Sequence, residues 1–291
     1  MKAIQTNQLT KYYGKHCGIE NIDLSVEEGD FFGFIGPNGA GKSTTIRTLL
    51  GLLTPTSGSA AIFGRDIVGD KLAILSDVGY LPSEAVFYNG MRVKDLLAYS
   101  AKLRKKDCRQ EAASLCERLS LDTNRRIGEL SLGNRKKVGI VLALQHKPRL
   151  YILDEPTGGL DPLMQQEFYQ ILRERNEEGA TVFLSSHILS EVSRYCRHAA
   201  VIRAGELLVS DSIENLGHTG VKRVSLQGVS AVPDIPHISN TSFSDGCARF
   251  LYSGDQTELI RALAGLSFTD ISITDPDFEE IFLHYYTKEG Q

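Results

Sequence analysis

The sequence lacks any apolar run of the about 18 residues that a membrane-spanning helix needs. Its longest apolar stretches, such as residues 139–144, are far shorter. Residues 1–14 also lack the apolar core that is typical of a signal peptide. We therefore expect any role at a membrane to be peripheral and to depend on a partner protein.

The sequence also lacks a large excess of charge of either sign. It contains 32 Lys and Arg residues against 36 Asp and Glu residues, which gives a formal net charge of -4. Such a balance gives no reason to expect nucleic acid as the main partner, although it allows local basic patches. We interpret one of these patches, Lys136 and Lys137, as a solvated face of a helix.

Cysteine is scarce and follows no recognisable pattern. The five cysteines include no pair with the C-x-x-C spacing, and their number is odd. A disulfide scaffold is therefore not expected. Five small, semi-buried thiols in a reducing compartment are the simplest interpretation.

Apolar strands alternate with helical patterns over most of the first 210 residues. Residues 31–35 and 149–154 are continuous apolar runs, typical of strands buried on both faces, and residues 74–81 are predicted to form a further strand. This alternation predicts an α/β fold with a mostly parallel sheet covered by helices. Residues 92–144 show helical patterns alone, which predicts a helical insert.

The composition changes near residues 217–220, and a small α+β appendage is predicted to follow. Its strand and helix patterns lie at residues 221–227, 248–253, 256–264 and 276–286. The sequence therefore predicts two domains. The first covers residues 1–216 and includes a helical subdomain at about 84–146, and the second covers residues 217–291.

A glycine-rich stretch, GPNGAGKS at residues 36–43, follows one buried strand and fits the phosphate-loop motif G-x-x-x-x-G-K-[ST]. Glycines allow successive backbone N–H groups to face a phosphate, and the following helix adds its positive end. Lys42 is predicted to reach the β- and γ-phosphates, and the Ser43 hydroxyl to ligate Mg²⁺. The predicted nucleotide-binding residues of this loop are Gly36, Pro37, Asn38, Gly39, Ala40, Gly41, Lys42, Ser43 and Thr44.

Two acids, Asp154 and Glu155, end the apolar strand at residues 149–154. Ligands of open α/β sheets bind at the carboxyl ends of the strands, so both acids should face the phosphate region. Adjacent strand residues point in opposite directions. Asp154 could then hold Mg²⁺ through water, and Glu155 could accept a proton from an attacking water. His187 closes the next predicted strand, where it would reach the γ-phosphate.

These motifs, in this order, resemble those of the ATP-binding subunits of ABC transporters over about residues 1–210. The matching stretches are GPNGAGKST (36–44), LSLGN (130–134), YILDEP (151–156), GLD (159–161) and SSH (185–187). A phosphate loop alone would also admit kinases, GTPases and recombinases, and LSLGN narrows the field. The resemblance implies a P-loop NTPase core with a mixed sheet, a helical subdomain and ATP and Mg²⁺ as cofactors.

The resemblance also implies a dimer. In this family a nucleotide on one phosphate loop is enclosed by the start of the LSLGN helix of a second copy, or of a paralogous ATP-binding subunit, here with Ser131 and Gly133. Two chains arranged head to tail then sandwich two nucleotides. Asp161 matches the acid that links the two sites, and Tyr13 matches the aromatic residue that stacks on adenine, with Tyr12 as its competitor.

Two departures from the family pattern bear on activity. The LSLGN stretch has Leu132 and Asn134 where the family usually has glycine and glutamine. Ser83 stands where the family usually has a glutamine that contacts Mg²⁺ and senses the membrane subunit. A serine could contact the ion only through water, and Glu84 could substitute for the missing group.

The resemblance implies an ATP hydrolase that powers a transporter from the cytoplasmic face of the membrane, bound to a separate transmembrane permease subunit. Residues 81–84 and the helices at 92–119 would receive a coupling helix of that subunit. The ending from residue 278 is similar to the C-terminal helix of subunits paired with ABC-2 type exporter permeases, which favours export.

Two alternatives remain open. Ser83 favours a weakly active regulatory partner of an active cassette. A soluble ABC protein acting on ribosomes or DNA usually has two cassettes in one chain or a long coiled coil, and neither is found in the sequence.

Overall fold

The computed structural model describes residues 1–217, 220–276 and 280. The chain divides into two compact units, Met1–Asp211 and Ser212–Gln291. The helix predicted at residues 276–286 falls largely outside the described residues. The division into domains at residues 1–216 and 217–291 stays a prediction.

The first unit contains a six-stranded sheet. Its strands are β4 (Phe31–Ile35), β7 (Val78–Leu81), β8 (Leu150–Asp154), β9 (Thr181–Ser186), β10 (His198–Arg203) and β11 (Glu206–Ser212). Their order is β11-β10-β4-β9-β8-β7, and all neighbours from β10 to β7 pair in parallel. The predicted parallel sheet is therefore confirmed, and both strands predicted to be buried, β4 and β8, lie inside it with every residue buried.

A second sheet of the same unit is antiparallel. Its strands are β1 (Lys2–Tyr13), β2 (His16–Ile22), β3 (Ser25–Glu27), β5 (Ser57–Ile62) and β6 (Arg65–Asp66). The order is β2-β1-β5-β6, and β3 also pairs with β1. The presence of both sheets gives the first unit the mixed character predicted from the sequence.

Seven helices accompany these sheets in the first unit. They are α1 (Lys42–Leu49), α2 (Lys71–Asp77), α3 (Val93–Leu103), α4 (Arg109–Arg118), α5 (Leu132–Leu144), α6 (Pro162–Glu177) and α7 (Leu189–Tyr195). Ile46 and Leu49 of α1 belong to one buried cluster with Ile4 of β1 and Phe34 of β4, so α1 packs against residues of both sheets. Burial of each such side chain contributes about 1.5–3 kcal/mol.

Residues 92–144 form α3, α4 and α5 without a strand, which confirms the predicted helical insert. The expectation of a strand over residues 74–81 is wrong in its first half, because α2 extends to Asp77 and only Val78–Leu81 is a strand. A short apolar run does not distinguish a strand from a helix by periodicity. In the part of the chain that the structure describes, no helix combines the length and apolar character required to span a bilayer.

The second unit contains a four-stranded antiparallel sheet. Its elements are α8 (Ile213–Gly217), β12 (Lys222–Gln227), β13 (Ile238–Ser244), β14 (Cys247–Tyr252), α9 (Gln256–Ala264) and β15 (Asp270–Thr274). The strand order is β13-β14-β12-β15. Leu259 and Leu263 of α9 pack on Val224, Leu226 and Phe250 of the sheet. The predicted α+β character is confirmed, whereas β13 and β15, which are largely exposed, were not predicted.

Candidate active site

A cleft of about 1030 Å³ opens at the edge where β4, β8 and β9 end side by side, as the strand registers require. Its walls come from the N-terminal hairpin, the phosphate loop, the loop after β7, the start of α5 and the loops after β8 and β9. The lining residues include Tyr13, Cys17, Gly18, Asn38, Gly39, Gly41, Lys42, Ser43, Thr44, Ser83, Glu84, Val86, Leu132, Arg135, Lys136, Glu155, Gly159 and His187.

The phosphate loop depends on two glycines for its path. A Cβ atom on Gly36 would lie 2.5 Å from the carbonyl oxygen of Ile202, so no side chain fits there. Gly41 has a φ of 108°, and a Cβ atom would lie 2.8 Å from the carbonyl oxygen of Gly18. Helix α1 begins at the next residue and has no side-chain cap, which leaves its first N–H groups available to an anion.

Lys42 lies at the centre of this loop and is buried. Its Nζ donates to the carbonyl oxygens of Gly36, at 2.6 Å, and Pro37, at 3.1 Å. The same ammonium lies 3.1 Å from Oε1 of Glu155. Gly36, Pro37 and Ala40 shape the loop without lining the cleft, and the other predicted residues of the loop line it.

Asp154 and Glu155 occupy different environments, as adjacent residues at a strand end should. Asp154 is fully buried, and its Oδ1 accepts a hydrogen bond of 2.7 Å from the Ser185 hydroxyl. Glu155 has a φ of 49°, in the left-handed region, and its carboxylate faces the cleft. There it contacts Nδ1 of His187 as well as Lys42. One carboxylate therefore contacts both of the other predicted catalytic side chains, Lys42 and His187.

The oxygen atoms of the three predicted ligands, Ser43, Ser83 and Asp154, are of the kind that Mg²⁺ binds, although Asp154 is not part of the described lining of the cleft. Among the described residues, Oδ2 of Asp154 is buried and has no hydrogen-bond partner, which is costly for a carboxylate unless a ligand or water satisfies it. Ser43 and Ser83 line the cleft and add hydroxyl oxygens, the hard donors that Mg²⁺ prefers. Ser43, Asp154 and Ser83 stay the predicted residues for holding the ion.

The two adjacent tyrosines of β1 differ in position. Tyr13 lines the cleft and is nearly half exposed, and a Cβ atom on Gly18 would lie 2.8 Å from its ring. Tyr12 is not part of the described lining, and a hydrogen bond with Glu20 raises its pKa to about 12. The geometry therefore favours Tyr13 over Tyr12 as the aromatic residue beside a bound base.

The start of α5 presents Ser131 and Gly133 outside their own cleft. Ser131 is the N-cap, and its Oγ accepts a 3.3 Å hydrogen bond from the N–H of Asn134. A Cβ atom on Gly133 would lie 2.6 Å from the carbonyl oxygen of Gly159, so the helix start approaches that loop closely. Neither residue belongs to the described lining, whereas Leu132 lines the cleft and is 75% exposed.

Asp161 is the N-cap of α6 and is not part of the described lining of the cleft. Its Oδ1 accepts a 3.1 Å hydrogen bond from the N–H of Met164, and Pro162 occupies the first helical position. This is a standard N-cap arrangement. Its predicted role in linking two nucleotide sites stays a prediction.

The interpretation of Lys136 as part of a solvated helix face is wrong. Lys136 is only 5% exposed, whereas Lys137 is partly exposed. Burial lowers the pKa of Lys136 to about 8, against the opposing effect of Asp154 and Glu155. The burial of Lys136 could have been predicted from the helical period, because it lies one turn before the apolar Ile140, which is buried.

The phosphate loop lies between the buried strand β4 and the helix α1. Two adjacent acids follow in β8 and just after it, and β8 is a parallel strand two positions from β4 in the sheet. This arrangement defines a P-loop NTPase. Comparison with known proteins narrows this class. A family model described as ABC transporter matches residues 19–158. The bacitracin transport ATP-binding protein BcrA of Bacillus licheniformis is 34% identical over an alignment that covers 96% of each protein. The chain belongs to the family of ABC transporter ATP-binding proteins.

Other comparisons agree with this assignment. The linearmycin resistance ATP-binding protein LnrL of Bacillus subtilis is 28% identical and matches 97% of each protein. The solved ATP-binding subunit of an ABC transporter matches 74% of this chain and 91% of its own length, with a TM-score of 0.70 and 28% identity. A dimeric bacterial ABC transporter cassette matches 72% of this chain and 98% of its own length, with a TM-score of 0.64 and 27% identity. The predicted fold is thus confirmed. Cassettes of this family bind adenine nucleotides and in general hydrolyse ATP.

Proposed function

We propose that this chain hydrolyses ATP to power a membrane transporter. The observation that carries the proposal is the convergence of Lys42, Glu155 and His187 at one phosphate-loop cleft. An ammonium, a carboxylate and an imidazole in contact supply the charge neutralisation and the proton acceptor that cleavage of a phosphoanhydride requires.

Each group has a separate role in this proposal. Lys42 and the N–H groups at the start of α1 bind and orient the phosphates, and Tyr13 contacts the adenine. Glu155 accepts the proton of an attacking water, and His187 donates toward the γ-phosphate. A bound Mg²⁺, ligated by Ser43 and held through water by Asp154 and Ser83, would offset the phosphate charge.

The proposed active form is a head-to-tail dimer with a second copy or a paralogous cassette. Ser131 and Gly133 of one chain would complete the site of the other, and Asp161 would link the two sites. The position of Ser131 and Gly133 outside the described lining of their own cleft supports this arrangement. The similarity to a solved dimeric cassette supports it further.

A separate permease subunit is the proposed membrane partner, which would hold the chain at the cytoplasmic face of the membrane. The names of the relatives, bacitracin transport and linearmycin resistance, favour export. Val86, in the loop after β7, is 92% exposed and provides an apolar contact for the permease. Because Val86 also lines the cleft, stimulation by the co-purified permease is expressed relative to the basal rate of each variant. Val86→Asp should reduce this ratio, whereas Leu72→Asp, at another exposed apolar residue, should not. If the permease stimulated both variants equally, the docking surface would not include Val86.

The Glu155→Gln variant tests the proposed hydrolysis. Removal of the proton acceptor should lower the phosphate-release rate about 100-fold or more, while the phosphate loop still binds ATP. The uncleaved nucleotide should then hold two chains together, and light scattering with Mg-ATP should detect a dimer. A variant that stays monomeric with undiminished turnover would contradict the assignment.

A weakly active regulatory subunit is the second candidate. Ser83 and Leu132 favour it, because both depart from the family pattern and both line the cleft. Phosphate release by the wild-type protein distinguishes the two candidates. Nucleotide binding without measurable turnover, with and without the permease, would select the regulatory function.

A further inference from the structure

The side chain of Lys136 joins α5 to two other segments of the cleft. Its Nζ donates to the carbonyl oxygens of Ser83, at 2.9 Å, Pro82, at 3.3 Å, and Glu155, at 2.9 Å. An ammonium group has three N–H donors, so this one has a backbone acceptor for each of them. The buried side chain therefore acts as a three-way link between α5, the loop at residues 82–83 and Glu155.

The backbone of Glu155 is held on both sides. Its N–H donates to the carbonyl oxygen of Ser185, at 3.2 Å, and to the Ser185 hydroxyl, at 3.3 Å. Its carbonyl accepts from Lys136. A left-handed φ of 49° is unfavourable for a residue with a Cβ atom and persists only where its surroundings fix it. Lys136 and Ser185 together fix the conformation that directs the Glu155 carboxylate toward His187.

The loop at residues 82–83 is coupled to Glu155 through the same ammonium. The two carbonyls of this loop and the carbonyl of Glu155 lie within 3.3 Å of one nitrogen atom. A shift of the loop therefore changes the hydrogen bonds that hold Glu155. Ser83 has a short side chain, and the link to Glu155 runs instead from its backbone carbonyl through Lys136.

We propose that Lys136 is a positioning residue, which sets the Glu155 carboxylate according to the position of the loop at residues 82–83. The inference rests on the proposed ATPase function and specifies how the proton acceptor of that site is placed. Lys136 directs its donors to the backbone, so its loss should impair the chemical step more than the binding of ATP.

Lys136→Met tests this role, with Lys137→Met as the matched control on the same helix. Because misplacement of a catalytic group by about 1 Å costs up to about 100-fold in rate, we expect kcat of Lys136→Met to fall about 10- to 100-fold. The KM for ATP should stay within about threefold of the wild-type value, since uniform binding is unchanged. Lys137→Met should resemble the wild type in both constants.

Thermal melting and binding of a fluorescent ATP analogue establish that each variant is folded. If Lys136→Met does not fold, Lys136→Gln, which keeps a shorter neutral donor, is measured by the same criteria. A kcat within about twofold of the Lys137→Met value, or a raised KM with unchanged kcat, would overturn the proposal. A wild-type protein without ATPase activity would instead overturn the proposed function.

Combination with Glu155→Asp distinguishes positioning from a general structural effect. If Lys136 acts through Glu155, the double variant should lose less activity than the product of the two single losses, because the shortened carboxylate is already misplaced. Multiplicative losses would show that Lys136 acts independently of Glu155 and would overturn the proposal.

Discussion

Helices α1 and α5 of the first unit begin in different ways. Helix α1 follows Gly41, a left-handed residue, and has no side-chain cap, so its first N–H groups face the phosphate loop unpaired by a capping residue. Helix α5 follows Ser131, which caps the N–H of Asn134, and Leu132 beside it is exposed. The first start is built to receive an anion within its own chain. The second is capped by its own chain, and in the proposed dimer its exposed Ser131 would contribute to the site of another molecule.

Removal of the charge at the first helix start should have the largest effect. Lys42→Ala deletes the buried ammonium at the centre of the phosphate loop, and we expect ATP affinity to fall about 100-fold or more, because charge-assisted contacts to phosphate are lost. Isothermal titration with ATP measures this loss. Lys102→Ala, at an exposed lysine on α3, is the control and should bind ATP normally. Equal affinities of the two variants would remove Lys42 from the nucleotide site.

A change at the second helix start should separate hydrolysis from binding. Gly133→Ala places a Cβ atom 2.6 Å from the Gly159 carbonyl, so the helix start must shift. We expect ATPase activity to fall about 10- to 100-fold while a single chain still binds ATP, since misplacement affects the completed site. Gly90→Ala is the matched control, because no atom lies within 4 Å of its added Cβ. If Gly133→Ala also lost the ability to bind ATP, the starts of α1 and α5 would not have separate roles in binding and hydrolysis.

The stability of the protein should depend on pH through His146, a buried residue at the end of α5. His146, just after this helix, is buried, its Nε2 lies 3.2 Å from the Val78 carbonyl, and its Nδ1 lacks a partner among the described residues. Burial, reinforced by the nearby Arg104 and Lys106, lowers its pKa from 6.5 to about 4. Between these values the unfolded chain takes up a proton that the folded chain does not.

Stability should therefore be complete above pH 6.5 and decrease by about 2–3 kcal/mol as the pH falls toward 4, according to the size of the shift. His146→Gln cannot take up this proton and should lose less stability over the same interval. Urea unfolding of both proteins at pH 7.5, 6 and 5 measures the difference. If the free energy of unfolding changed equally with pH in both proteins, His146 would not be the group that takes up the proton.

A substitution on the adenine side of the cleft should have the smallest effect on activity. Like a change at the start of α1, it should affect the binding of ATP. Tyr13→Ala should raise the KM for ATP about tenfold, since base stacking contributes about 1–3 kcal/mol, and should leave kcat nearly unchanged. Tyr12→Ala is the neighbouring control, because Tyr12 hydrogen bonds with Glu20 instead. A larger effect of Tyr12→Ala would reassign the stacking residue.

The phosphate loop could be predicted from the sequence because its function depends on one short segment between a strand and a helix. Lys136 could not be assigned in this way, because its acceptors Ser83 and Glu155 lie 53 and 19 residues away in the chain. Its helical register with the buried Ile140 and Leu144 indicated burial but not a partner. Local motifs thus define the binding half of the site, whereas the placement of Glu155 depends on tertiary contacts.

The fold shows the same limit. The strands β4 and β8 were predictable because each is a continuous apolar run buried on both faces. Residues 74–77, the end of helix α2, were assigned to a strand because such a short segment does not distinguish a helix from a strand by its periodicity. Strands β13 and β15 have mostly exposed residues, and their pairing with β14 and β12 is determined by the sheet rather than by their own composition.

A mixing experiment with two impaired variants tests most directly whether each site is built from two chains. Lys42→Ala lacks a working phosphate loop and Gly133→Ala has a displaced α5 start, so each alone should keep no more than about a tenth of the wild-type rate. In a mixed dimer, the phosphate loop of one variant meets the α5 start of the other, and one site is intact. Mixing equal amounts should restore about one quarter of the wild-type phosphate-release rate, because half the dimers are mixed and each has one working site. No recovery in the mixture, while the wild-type protein turns over ATP, would contradict the two-chain site.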